Sequence, residues 1–109
     1  MRSGGAVDTL PAVPDPRTVH ELDTPALLID RQRLERNIGR MESLATVSCV
    51  GLRPYIKTHK CVAIARMQAT AGASGITCAK ASEAELFARH GFSDIVIAHP
   101  AASFKGERI

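Results

Sequence analysis

Tryptophan is absent from this 109-residue sequence, and the aromatic residues are one tyrosine and three phenylalanines. Little is left with which to stack bases. Lys and Arg exceed Asp and Glu by only three charges, fourteen against eleven, and are scattered along the chain. Nucleic-acid surfaces need a basic stripe, interleaved aromatics or a recognisable motif, so no nucleic-acid partner is expected. No apolar run approaches the ~18 residues of a membrane span, so no membrane partner is expected either. The first twenty residues hold no continuous apolar stretch and do not read as a secretory signal. The cysteines, Cys49, Cys61 and Cys78, are odd in number and lack C-x-x-C spacing. That excludes a disulfide framework or zinc site as the leading reading and favours small buried apolar residues in a reduced, cytoplasmic protein. Dinucleotide, P-loop, H-E-x-x-H and G-x-S-x-G signatures are missing, as are paired carboxylates at a useful spacing.

What is present is an ordinary globular composition, 45% hydrophobic and 23% charged. Residues 1–21, with Pro11, Pro14 and Pro16, read as a flexible leader. The apolar run at 24–30 reads as a buried strand, and Asp30 as the cap of a helix of about 15 residues with Leu34, Ile38 and Met41 on one face. Residues 52–57 are a second strand, at an edge or beginning near Pro54. Thr58 is a candidate cap for a helix over 60–71, with Gly72 just past its end. A third strand at 75–79 precedes a capping box led by Ser82, and Gly91 with Phe92 should close that helix. Residues 94–98 are a fourth strand, and 99–109 form an irregular tail. The order β-α-β-α-β predicts an α/β fold, with a parallel sheet covered by helices on both faces.

Ligands of such sheets bind at the carboxyl ends of the strands, which brings Lys57, Lys80 and His99 to one rim. Lys57 is open to three readings: a solvated charge, an anion ligand or a covalent anchor for a carbonyl group. Arg53, Lys60 and a protonated His59 nearby would disfavour its charged form, and a neutral amine is what a Schiff base requires. His59 is either a local hydrogen-bonding group or an acid/base. Alternation places Tyr55 on the same face as Lys57.

The segments Asp23-Thr-Pro-Ala-Leu-Leu-Ile-Asp30, Arg53-Pro-Tyr-Ile-Lys-Thr-His-Lys60 and Gly75-Ile-Thr-Cys-Ala-Lys80 resemble the start of the D-threonine aldolase and D-serine dehydratase family. These pyridoxal-phosphate enzymes share their barrel with alanine racemase. The resemblance spans residues 22–98 and implies an N-terminal piece of a (β/α)8 barrel. It implies that Lys57 carries pyridoxal 5'-phosphate as a Schiff base, with His59 and Tyr55 among the cofactor-binding residues. Tyr55 stands where that family usually has histidine. The implied activity is retro-aldol cleavage of small D-3-hydroxy amino acids to glycine and an aldehyde. D-serine dehydration, amino-acid racemisation and non-catalytic cofactor binding are the alternatives. The family's divalent metal is held by later residues, so no metal ligand is expected here, and full-length members are expected to be homodimers. A complete barrel takes about 250 residues and this chain has 109. The expectation is therefore a truncated chain with exposed apolar faces and without full activity.

Overall fold

Each of the three helices stops for the same local reason. The computed structural model describes residues 18–100. Of the expected leader, residues 18–21 are described, and they hold a 3-10 turn at Val19–Glu21. The tail beyond Pro100 lies outside the described residues. Helix α1 is Arg31–Val47, α2 is Val62–Ala71 and α3 is Ala81–Arg89. At each end, two backbone bonds close the last turn around a residue in the left-handed region. For α3 these run from Gly91 N to Ala88 O and from Phe92 N to Phe87 O. The Phe87 and Phe92 rings meet edge-on, 5.5 Å between centroids. In α2 the residue is Gly72, at φ 127°. In α1 it is Cys49, at φ 56°, where a glycine would be the ordinary choice.

Strands β1, Ile76–Cys78, and β2, Ile95–Ile97, pair in parallel with Ile76 opposite Ile95 and Cys78 opposite Ile97. The expected strand at 52–57 is present as a single parallel bridge from Tyr55 to Thr77. It is flanked by bonds from Thr77 N to Pro54 O and from Ile56 N to Thr77 O. The spatial order is therefore this segment, β1, β2, the same as the chain order. Successive crossovers of one hand that step in one direction put both helices on one side of the sheet. The core shows this directly: Ile56, Ile76 and Cys78 meet Ala65 of α2 and Phe87 of α3, all but fully buried. Helices on both faces, the expectation from the apolar strands, is thus corrected. Val96, pointing the other way within β2, is 44% exposed.

Further expectations are revised. Residues 24–30 form no strand, and Leu27 is wholly exposed. A strand needs a neighbour to take its amides. Here a cavity of about 570 Å³ lies between Ile29 and α1 on one side and Leu52, Pro54 and Tyr55 on the other. Met41, Leu44 and Val47 of α1 are exposed as well, in keeping with the expected uncovered apolar faces. Of the cysteines, only Cys78 is buried, whereas Cys49 is exposed and Cys61 half-buried. Burial, with a smaller contribution from the Glu83 charge, pushes the Cys78 thiol up. No helix among the described residues is long and apolar enough to cross a membrane.

Gly75 sits where the chain enters β1, between Arg53 and Asp94. A Cβ there would meet the Asp94 carbonyl oxygen at 2.5 Å and collide with Arg53 Nη1. Gly75→Ala is expected to destabilise the chain by about 1–3 kcal/mol, the usual cost of overpacking. Gly39→Ala meets nothing within 4 Å inside α1 and should stabilise by about 0.5–1 kcal/mol. Urea unfolding of the two variants beside the parent checks the opposite signs.

Candidate functional site

Tyr55 makes the bridge to Thr77, and residues 56–59 then form a turn closed by a bond from Lys60 N to Ile56 O at 2.8 Å. Ile56 has no exposed surface, while Tyr55 and Lys57 are exposed. The expected strand alternation therefore stops at this turn, and Tyr55 and Lys57 come together through the turn rather than along a pleat. Lys57 Nζ lies 5.6 Å from the Tyr55 ring centroid, over its face. The Tyr55 hydroxyl is 3.2 Å from His99 Nε2, at the carboxyl end of β2. As β1 lies between the two, this contact bridges the middle strand. The structure thus brings together Lys57, Tyr55 and His99, three of the residues singled out from the sequence. Lys80, the fourth, is the exposed N-cap residue of α3.

At the amino end of the same strands Arg53 grips Asp94. Nη1 reaches Oδ1 at 2.7 Å and Nη2 reaches Oδ2 at 2.9 Å, a two-pronged pair. The guanidinium hydrogen bond, opposed by burial and aided by the Arg53 charge, holds the Asp94 carboxyl below its usual range. Arg53 is therefore not an uncompensated cation acting on Lys57.

Neither is Lys60. Its Nζ stands 2.9 Å from Glu83 Oε1, and the Glu83 side chain is only 10% exposed. At that distance hydrogen bonding and charge both hold the pair. Glu83 Oε2 accepts the Ala79 N–H at 2.9 Å. Burial by itself would raise the Glu83 carboxyl, but Lys60 and the Ala79 and Lys80 amides together bring it below its ordinary value. The cap of α3 is consequently Lys80 rather than Ser82, with Glu83 as the residue that reaches back. Lys60 is half-exposed and tied down, not the freely solvated neighbour the sequence suggests.

His59 has both ring nitrogens engaged. Nδ1 accepts the Cys61 N–H at 2.9 Å, and Nε2 is 3.2 Å from Gln68 Oε1. An accepting Nδ1 puts the proton on Nε2, so the imidazole is neutral and donates to Gln68. It satisfies the start of α2, whose cap is Cys61 rather than Thr58. The segment 57–60 is thus held over its second half, by His59 on α2 and by Lys60 on α3, and Lys60 itself adopts φ 47°. Sequence reasoning missed Glu83 as a site-organising residue. Its only signal was a carboxylate at the third position of a helix that starts at Ala81.

Among the described residues no cluster of three His, Cys, Asp or Glu could hold a metal ion. Residues 29–107 match the family described as alanine racemase, N-terminal domain. Over 81 residues the chain is 48% identical to D-threo-3-hydroxyaspartate dehydratase of Delftia sp. (strain HT23), covering 74% of this chain and 21% of that protein. It is 44% identical over 78 residues to D-threonine aldolase of Arthrobacter sp, covering 72% of this chain and 21% of the relative. The crystal structure of D-threonine aldolase from Filomicrobium marinum superposes with a TM-score of 0.75 at 40% identity, over 78% of this chain and 23% of that one. The chain therefore spans about a fifth of the length of the curated relatives it matches.

The Glu83 tie sets a pH dependence. A carboxylate whose folded pKa lies below its unfolded value contributes stability that is complete above that unfolded value. The contribution is lost as pH falls through the folded one. Stability should therefore drop on acidification from the ordinary glutamate value of 4.5 downward. Lys60→Met leaves a buried carboxylate without its cation and should cost about 1–3 kcal/mol at pH 7. That deficit should shrink as pH is lowered, since protonated Glu83 needs no cation. Urea midpoints of parent and variant between neutral and acid pH check it.

Proposed function

The chain belongs to the alanine racemase N-terminal domain family, and from that premise we propose that it carries the cofactor-anchoring segment of a pyridoxal-phosphate-dependent D-amino-acid lyase of the D-threonine aldolase type. It supplies the first strand–helix units of the (β/α)8 barrel. The observation that carries the proposal is Lys57: an exposed amine in the turn that follows the first strand segment, over an aromatic ring.

The residues present fit the reactive end of the cofactor. Pyridoxal phosphate has an aldehyde and a planar ring; Lys57 offers an amine to the first and Tyr55 a flat wall to the second. When bound, the group supplies an electron sink for bond breaking at the amino acid's Cα. The chain's own part is to hold the amine in place. Burial of Ile56 aims Lys57, and the His59 and Lys60 ties keep the following loop from swinging. His59 enters the proposal through that loop, its ring nitrogens being taken by Cys61 and Gln68. A divalent metal belongs to the same proposal for the whole protein, bound by residues outside those described.

The substrate class is a small D-3-hydroxy amino acid, cleaved between Cα and Cβ to glycine and an aldehyde. Dehydration of the same class is the second reading, favoured by the higher identity to the dehydratase. Both reactions start from the same lysine, so the Lys57 assignment is common to them.

Adding pyridoxal phosphate to the chain should give an absorbance band near ~420 nm, the mark of the cofactor joined to an amine. Lys57→Ala should abolish it. A band of equal strength in the variant would remove Lys57 from the anchor role.

A further inference from the structure

Tyr55 and His99 lie 44 residues apart in sequence, at the two outer positions of three neighbouring strands, yet their polar atoms are 3.2 Å apart. Neither is placed there by accident of a loose loop. Tyr55 is flanked by the Pro54 and Ile56 bonds to Thr77, and Ala98, the residue before His99, donates its N–H to Cys78 O at 2.9 Å. Both residues therefore start from backbone locked to β1. The phenol passes over the middle strand to close the carboxyl end of the sheet, as Arg53 and Asp94 close the amino end. Lys57 Nζ lies over the ring thus held.

We propose that Tyr55 and His99 act as a positioning pair for Lys57: the hydroxyl donates to His99 Nε2, and the ring fixed by that bond is the wall against which the Lys57 amine is held. This rests on the reading of Lys57 as the anchor. A tyrosine hydroxyl can donate to an unprotonated imidazole nitrogen, which leaves the histidine proton on Nδ1. Without the bond, the phenol is an exposed side chain free to leave its rotamer, and Lys57 loses the surface that restricts it. Orientation of a reacting amine is worth a measurable factor in rate even where its chemistry is unchanged. The pair deepens the proposed function by adding His99, and by giving the tyrosine hydroxyl a use that a phenylalanine cannot supply.

Two measurements on the full 109-residue chain test it. The first uses no cofactor: nitrogen NMR of the His99 ring in parent and Tyr55→Phe. The parent should show Nε2 unprotonated, and the variant should shift toward the mixture of a free imidazole. An identical His99 ring in both overturns the pairing. The second incubates the chain with pyridoxal phosphate and cyanoborohydride and measures labelling at each lysine by peptide mass. The amine condenses with the aldehyde, losing water, and hydride from the reductant fixes the new C–N bond. Lys57 should be labelled ahead of Lys60 and Lys80. Tyr55→Phe and His99→Gln should each slow Lys57 by about 2- to 5-fold, a modest share of what orientation of a reacting group can supply, leaving Lys80 unchanged. The double variant should be no slower than the singles, because both remove one link. Absence of any Lys57 preference in the parent overturns the anchor reading itself. A Lys57 preference undiminished in both variants, or additive losses, overturns the positioning pair alone.

Discussion

A carboxylate taken out of water must find charge or hydrogen bonds, and Glu83 finds both in the segments that matter for Lys57. Its oxygens meet Lys60 Nζ and the Ala79 amide. The same side chain therefore ties the start of α3, the end of β1 and the loop after Lys57. A buried ion pair is weak grounds for stability, since desolvation offsets much of the attraction. Its value here is geometric. Lys60 occupies a left-handed backbone position that a lysine rarely adopts, and the pair compensates for that by fixing its head group. His59 fixes the preceding residue from the other side. A loop that could otherwise slide is pinned on α2 and α3 within three residues of the proposed anchor.

The second constraint is the separation of faces. Both helices cover the face carrying Ile56, Ile76 and Cys78. Tyr55 and Lys57 stay exposed beside this core, and the sheet is clamped at each end by a contact across β1. At the amino end, exact room for Arg53 and Asp94 requires a glycine at 75. At the carboxyl end, Tyr55 meets His99. Chemistry and scaffold are thus one residue apart in sequence, with Ile56 buried between exposed Tyr55 and Lys57. A change at Ile56 would act on the site through packing, and a change at Tyr55 would act on it directly.

The local signals in the sequence translated well where one residue decides the outcome. Asp30 accepts the Arg33 amide at 3.0 Å as a cap should, and Gly72 and Gly91 end their helices. They failed where a distant partner decides. Thr58 and Ser82 looked like caps, but α2 and α3 begin elsewhere, at Cys61 and Lys80, where His59 and Glu83 accept the nearby amides. Residues 24–30 looked like a strand, but a strand exists only with a neighbour for its amides. Arg53 and Lys60 looked like free cations around Lys57; Asp94 and Glu83, 41 and 23 residues away, neutralise them. No spacing rule announces such pairs.

The amino-acid sequence alone determined the alternation of apolar runs and helical stripes, the α/β class, and the specific segment around Lys57 that marks the family. These depend on local periodicity and on residue identity, both of which are written along the chain. Tertiary structure decided which face of the strands is covered, which cations are compensated, and that Tyr55 reaches His99. Those outcomes depend on the order of strands in space, and that order is set by crossovers and burial summed over the whole chain.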